Sequence, residues 1–583
     1  MDTQNYPGKG LSLLQLVFAL NEELKRTAHS PSYVATILNA GRADSLLSFT
    51  LEVVSQLDCG TSTALATIRE WKNSFVRINR IPLDVLSLVP IHLASQSDRL
   101  RASFVCRHWR RTFLQRAELW SQLYLSKGEA YTKTLLRRVK GAALDITSTF
   151  EVPFSTMMLL SSHTEQIRYL SFVFSKWAEI EAFSELISRP LPLLHTLSIN
   201  TNRERGLDRF DSALPPLLFS TAINLKALHF HSILGLPLPL GQFVFPNIVF
   251  FKFSASPPEG LRALQLLDFL EGSPMLRTVC MGIFSDISFE DVPQERVVLL
   301  PNVETFELTV SSGPGYNIAT CISCPSAKST LIAQENHDCE MIPEGAFPTL
   351  ISWNTIVRQY MTSPAEEVTL EIRATSTISC NLTFRSPDNT CTRLSFIAAT
   401  DDEDEDEDED EPDLRSAEVH HEVFAQATGT IRNYPQLASI KRLHISHRFP
   451  FNPPTFLPSI VNETRKLFKT LDPLDQLTFD RCDLRPYFCL FLQAPEDHAE
   501  EPLVFPPTKE LTISNPVYLS GEECITAIVG LAKSQHARGI PFGHVIVRSE
   551  IIPAEIEERL RPWVGGAEHW YEEDLDMSES DDY

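Results

Sequence analysis

The chain has 583 residues, 43% hydrophobic and 22% charged, with 22 Gly and 11 Cys. That balance excludes wholesale disorder, a collagen-like chain and a disulfide scaffold. The net charge of −24 is concentrated in Asp401–Glu411 with Asp413, twelve acids, and in eight more from Glu568 onward; the rest carries −24 + 20 = −4, which excludes general affinity for nucleic acid backbone.

Residues 1–76 read as helical. Leu13, Leu16, Val17, Leu20 and Leu24 form one apolar stripe, and Leu46–Leu57 and Ala64–Val76 are further helical stretches. Leu11–Leu20 lacks the basic start and small-residue end of a secretory signal.

Residues 77–125 predict three short helices. Ile81-Pro82 opens the first, with Asp84 in its first turn and an apolar face of Val85, Leu86 and Val89. Pro90 then removes an amide bond to the Leu86 carbonyl and is expected to end or kink that helix. Ser97 or Asp98 caps the second, which is expected to align Val105, Cys106, Trp109 and Phe113 on one side. The third presents Leu119, Trp120 and Leu123. Eight Arg against Asp84, Asp98 and Glu118 make this segment +5 within an acidic chain. A helix-turn-helix DNA reader is disfavoured, because Trp109 and Phe113 share the turn that would face the groove.

From residue 165 a loose repeat appears, apolar-x-x-apolar-x-apolar. It reads Ile167/Leu170/Phe172, Leu194/Leu197/Ile199, Leu225/Leu228/Phe230, Ile248/Phe251/Phe253, Leu276/Val279/Met281 and Val303/Phe306/Leu308. The beat returns at Ile440/Leu443/Ile445 and Leu474/Leu477/Phe479, then weakly at Leu511/Ile513. A short strand and a helix in each period of some twenty-odd residues is what a leucine-rich-repeat-like solenoid requires. A non-repetitive α/β sheet makes a similar beat. The uncharged stretch Ala227–Phe251 contains three prolines and two glycines, which argues against a membrane helix.

The expected fold class is therefore α/β: N-terminal helices over 1–76, a three-helix unit over 77–125, and an irregular repeat region over 126–400 and 416–566. An irregular insertion falls near 311–366, a disordered acidic loop at 401–415, and a disordered acidic tail at 567–583. The chain reads as cytoplasmic or nuclear, with reduced cysteines.

Cys321-x-x-Cys324 followed by His337 and Cys339 supplies zinc-type ligands, although His-x-Cys is tighter than the usual spacing. No phosphate loop or catalytic constellation stands out, and no cofactor is expected.

Ile81-Pro82, Val85-Leu86, Val105-Cys106-Arg107-His108-Trp109 and Leu119-Trp120 together resemble the F-box, in an arrangement like that of a branch common among mushroom-forming fungi. That resemblance implies a non-catalytic substrate receptor of an SCF-type cullin-RING ubiquitin ligase. Its docking residues on a Skp-type adaptor, and through that on a cullin, would be Ile81, Pro82, Leu83, Val85, Leu86, Val89, Val105, Cys106, Trp109, Leu119 and Trp120. The downstream repeats would hold an unknown protein substrate, with neither nucleic acid nor membrane as partner. The alternative is an F-box-like scaffold holding a basic partner without ligase function.

Overall fold

The computed structural model describes residues 81–149, 152–201, 222–231, 245–255, 262–283, 292–310, 316–336, 353–399, 414–448, 457–487, 505–549 and 552–570, apart from a few positions inside those ranges, together with Glu22 and Val76. The expectations for the N-terminal helices, the acidic run 401–413, His337, Cys339 and the tail beyond Trp570 fall outside the described residues. The described residues form two compact units. The first extends to Leu159 and includes Gln166–Arg168; the second comprises Leu160–Glu165 and everything from Tyr169 onward.

In the first unit, α1 (Leu83–Leu86), α2 (Gln96–Ser103) and α3 (Arg107–Gln115) precede β1 (Gln122–Tyr124). Helix α4 (Glu129–Val139) then leads to β2 (Leu144–Thr147), which lies parallel to β1. Thr132, Leu135, Leu136 and Val139 are the buried face of α4. Lys140 and Gly141 both have positive φ, a left-handed stop that Gly141 meets without a Cβ penalty.

The second unit is built on parallel strands that pair in sequence order: β3 (Ile167–Phe174, in this unit from Tyr169 onward), β4 (Thr196–Thr201), β5 (Ala227–His231), β6 (Phe250–Ala255) and β7 (Thr278–Ile283). The two-residue strands β8 (Val298–Leu299) and β10 (Ile322–Ser323) pair apart from the main sheet. β7 continues to β9 (Thr305–Val310), and β9 to β11 (Ser329–Asn336), again in parallel.

β12 (Glu367–Ala374), β13 (Thr377–Arg385) and β14 (Cys391–Ala399) form antiparallel pairs and enter the sheet in reverse order. β14 lies parallel to β11, while β12 lies parallel to β15 (Arg442–Arg448). Sequential parallel pairing then resumes through β16 (Leu474–Asp480), β17 (Thr508–Ser514), β18 (His544–Arg548) and β19 (Ala567–Trp570). β19 thus takes up the first residues of the segment expected as a tail, and the segment 311–366 contributes β11 to the main sheet.

Every residue of the sequence triplets is buried, with at most 2% of its surface exposed. The register puts Leu197, Leu228, Phe251, Val279 and Phe306 in one row and Ile199, Phe230, Phe253, Met281 and Leu308 in the next. A period-2 strand alternates its side chains, so these rows fix one buried face and leave Ser198, His229, Lys252 and Glu307 on the other.

Helices cover the buried face. α5 (Trp177–Ile187) brings Phe183 to 5.1 Å from the Phe172 ring, and α6 (Ala263–Glu271) brings Phe269 to 4.6 Å from Phe251. α7 (Tyr316–Thr320) and α8 (Trp353–Tyr360) meet where the Tyr360 hydroxyl donates to the Ala319 carbonyl at 2.9 Å. α9 (Leu414–Arg432) stacks Phe424 on His447 of β15, and α10 (Leu457–Thr470) brings Phe468 against Phe505. α11 (Gly521–Ala537) starts with a reciprocal cap in which Ser520 Oγ accepts from the Glu523 amide and Glu523 Oε2 from the Ser520 amide. α12 (Ile556–Leu560) precedes β19.

A repeated turn sets each strand in place. The amide of the lead triplet residue donates to the carbonyl three residues earlier, as Leu194 to Leu191, Leu225 to Ala222, Ile248 to Phe245, Leu276 to Ser273 and Val303 to Leu300, at 3.0–3.4 Å. The carbonyl just after the lead residue then accepts two amides from the next strand's start, as His195 does from Lys226 and Ala227. Asparagine side chains tie adjacent turns together: Asn224 to the Pro192 carbonyl, Asn247 to Ile223 and Asn302 to Pro274, at 2.7, 2.8 and 2.9 Å.

Candidate functional site

The helices of the first unit carry the residues singled out in the sequence, with changes. α1 is held by the Leu86 amide donating to the Pro82 carbonyl at 2.8 Å, and it ends at Leu86. A separate 3-10 turn, Val89–His92, contains Pro90, as expected of a residue without an amide hydrogen. α2 is capped two or three residues earlier than expected: Ser95 Oγ, not Ser97 or Asp98, accepts from the Asp98 amide at 3.1 Å.

The expected common side of Val105, Cys106, Trp109 and Phe113 divides. Cys106 is the extended residue before α3, so Val105 sits in the junction while Trp109 and Phe113 lie on the helix. Trp109 and Phe113 are buried, with ring centroids 5.6 Å apart. Trp120 is fully buried; its indole N–H donates to the Phe113 carbonyl at 3.0 Å, and the Arg138 guanidinium lies 4.7 Å over its ring. Burial, opposed by the nearby Tyr131 and reinforced by Arg110, holds the Arg138 pKa below its ordinary value. Leu86 and Leu119 are buried, Ile81, Val89 and Cys106 are half-buried, and Pro82 is exposed. Leu83 lies in α1, its side chain outside the described set.

The surface that remains is apolar and basic. Val85 and Leu88 are 47% and 49% exposed, and Phe104 and Val105 are 63% and 60% exposed. α1 packs on α3, and α2 packs on α3. The exposed Arg110 guanidinium lies 5.0 Å over the Phe104 ring, and Arg101, Arg107, Arg111 and Arg116 are exposed as well. Arg99 instead stays inside the unit, donating to the Leu93 carbonyl at 3.2 Å and to Gln122 Oε1 at 3.0 Å.

Sequence reasoning passed over Leu88 and Phe104. Leu88 follows the buried Leu86 by two residues, which places it on another face of a helical turn. Phe104 follows the last residue of α2, where helical periodicity gives no guidance.

Of the zinc-type ligands, Cys321 and Cys324 are described and buried. Burial pushes the Cys324 thiol up to about 12 and raises that of Cys321, which Thr320 and Arg296 oppose. Among the described residues no group of three or more His, Cys, Asp and Glu is placed to hold a metal ion, and no helix is long and apolar enough to cross a membrane.

The F-box-like family model matches residues 78–126, less than a tenth of the chain. No curated protein matches the sequence. The matched span contains α1 to α3, the two tryptophans and the exposed apolar and arginine side chains just described.

Proposed function

We propose that this F-box domain-containing protein is a non-catalytic substrate receptor of an SCF-type cullin-RING ubiquitin ligase. F-box domains are interaction modules that generally bind Skp-type adaptors, and the adaptor in turn reaches a cullin. The second unit is read as a leucine-rich-repeat-like solenoid that holds a protein substrate. Such a receptor performs no bond chemistry; it raises the effective concentration of substrate near a ubiquitin-charged enzyme.

The observation that carries the reading is the exposure of Val85, Leu88, Phe104 and Val105 among arginines in a folded, family-matched segment. Apolar side chains left in water at this density form a docking surface, and the arginines favour an acidic adaptor. The proposed adaptor site divides into contacts and support. Pro82, Val85, Leu88, Phe104 and Val105 face the adaptor, while Leu86, Trp109, Leu119 and Trp120 hold the helices in position. Ile81, Val89 and Cys106, half-buried, border the two sets.

Co-purification of a Skp-type adaptor with the full chain tests this. Val85→Asp combined with Phe104→Asp is expected to leave the protein soluble and abolish capture. Undiminished capture would overturn the proposed surface.

A further inference from the structure

The turns that precede β4 to β9 carry an exposed apolar ridge that the adaptor site does not use. Leu193, Ile223 and Met275 are 42%, 65% and 48% exposed, and Pro246, Pro274 and Pro301 are exposed beside them. Each falls one or two residues before a buried lead residue of the repeat, so successive turns offer an apolar group at the same place. The turns are neighbours: the asparagine bonds from Asn224, Asn247 and Asn302 each end on the preceding turn, and the Arg277 amide donates to the Val249 carbonyl at 2.8 Å between the remaining two. Successive groups are therefore about one strand spacing, ~4.8 Å, apart.

A charged row runs beside this ridge, on the residues just after the lead positions. It reads His195, Lys226, Val249, Arg277, Glu304 and Lys328, three Lys/Arg against one acid. Glu304 lies 3.0 Å from Lys328 and 3.7 Å from Arg277. Lys226, and Lys252 on the outward sheet face beyond it, make no ion pair among the described residues. A positive seam in a chain of net charge −24 is a local departure, and it sets the sign of what fits there.

We infer that this ridge and seam form a docking surface for an acidic segment of a partner protein that also carries apolar side chains. The inference rests on the receptor reading, in which that partner is the substrate. The apolar groups are held by backbone-anchored turns, so little ordering is needed on this side when a segment binds. The seam attracts carboxylates by charge complementarity and disfavours a basic partner.

A displayed library of random peptides, panned on the full chain and on two variants, tests it. Ile223→Ser with Met275→Ser removes apolar contacts, and Lys226→Glu with Arg277→Glu reverses the seam; all four side chains are exposed, so both proteins should fold. The native chain is expected to enrich peptides rich in Asp or Glu together with Leu, Ile or Phe. An enriched peptide should bind each variant about tenfold more weakly, the scale of a lost interface contact or charge pair, and panning on the charge-reversed variant should lose the acidic bias. Pools of the same composition from all three proteins, or a native pool without acidic enrichment, would overturn the inference. Adaptor co-purification is read in parallel and should be equal in all three; its loss from the native chain would count against the receptor reading alone.

Discussion

Two kinds of aromatic residue stand in the F-box-like segment, and they should respond differently to truncation. Trp120 is fully buried with its indole bonded to the Phe113 carbonyl, so Trp120→Ala is expected to cost ~3–5 kcal/mol and to unfold the segment. Phe104 is mostly in water, so Phe104→Ala should change stability by about 0.5 kcal/mol or less while weakening adaptor capture. Thermal denaturation read beside co-purification separates the two effects. This difference was not legible in the sequence. A tryptophan that fills a core and one that anchors a partner obey the same helical spacing, and only the placement of the Cys106 junction shows that Trp109 turns inward and Val105 outward.

His229, at the same scale, gives a pH dependence. Burial, and then the positive charge of Lys252, lower its pKa in the folded protein below the ordinary value near 6.5. As pH falls from 7 through that value, the unfolded chain takes up the proton before the folded one does, so stability falls and then levels off below the folded pKa. The melting temperature measured from pH 7.5 to 5 should therefore drop less in His229→Gln than in the native chain. Parallel curves would refute the assignment.

At the scale of elements, the last strands are packed backbone to backbone. A Cβ on Gly565 would stand 2.6 Å from the Gly543 carbonyl oxygen, and one on Gly543 would stand 2.9 Å from that of Lys509. Gly565→Ala must displace β19 or β18, and the expected result is faster hydrogen exchange in both strands with little change at β4 to β7. In β19 the His569 amide donates to Glu557 Oε1 at 2.7 Å. A strand amide engaged in this way is less available to pair with another chain, so Glu557→Ala should raise the rate of aggregation on warming, measured by light scattering.

The triplet strands were legible in the sequence because each must place three apolar residues on one face with a fixed offset. Leu225, Leu228 and Phe230 satisfy that requirement as openly as any. β11 was not, since its inward positions include Thr330 and Gln334 beside Ile332. The hairpin strands were missed for a related reason. Cys380, Leu382 and Phe384 alternate as in any strand, and nothing local announces that β14 rather than β12 lies against β11.

For the second unit as a whole, stability should be distributed along the stack of strands and be largely indifferent to salt. The ion pairs beside the strand starts, such as Lys509–Asp475 and Lys328–Glu304, are exposed, so solvent screening leaves them little net effect on stability. Raising sodium chloride to ~0.5 M, where charges are screened within about 4 Å, should leave the unfolding midpoint nearly unchanged. Phe253→Ala, in the buried row, is expected to cost ~3–5 kcal/mol and, on the solenoid reading, to reduce exchange protection most in β5 to β7, because a quasi-one-dimensional stack would pass strain mainly to neighbours. Protection lost equally from β4 to β19 would count against the solenoid reading.

The reversed trio β12 to β14 keeps both direction and phase. Thr330, Thr392, Phe384, Val368 and Leu443 succeed one another across it as buried side chains, so β11 and β15 present matching edges to the strands between them. The trio is thus a cassette that could be lifted out or lengthened by whole hairpins without turning the rest of the ladder inside out. Such a trio lets the sheet change length while every flanking rung keeps its old partners' polarity.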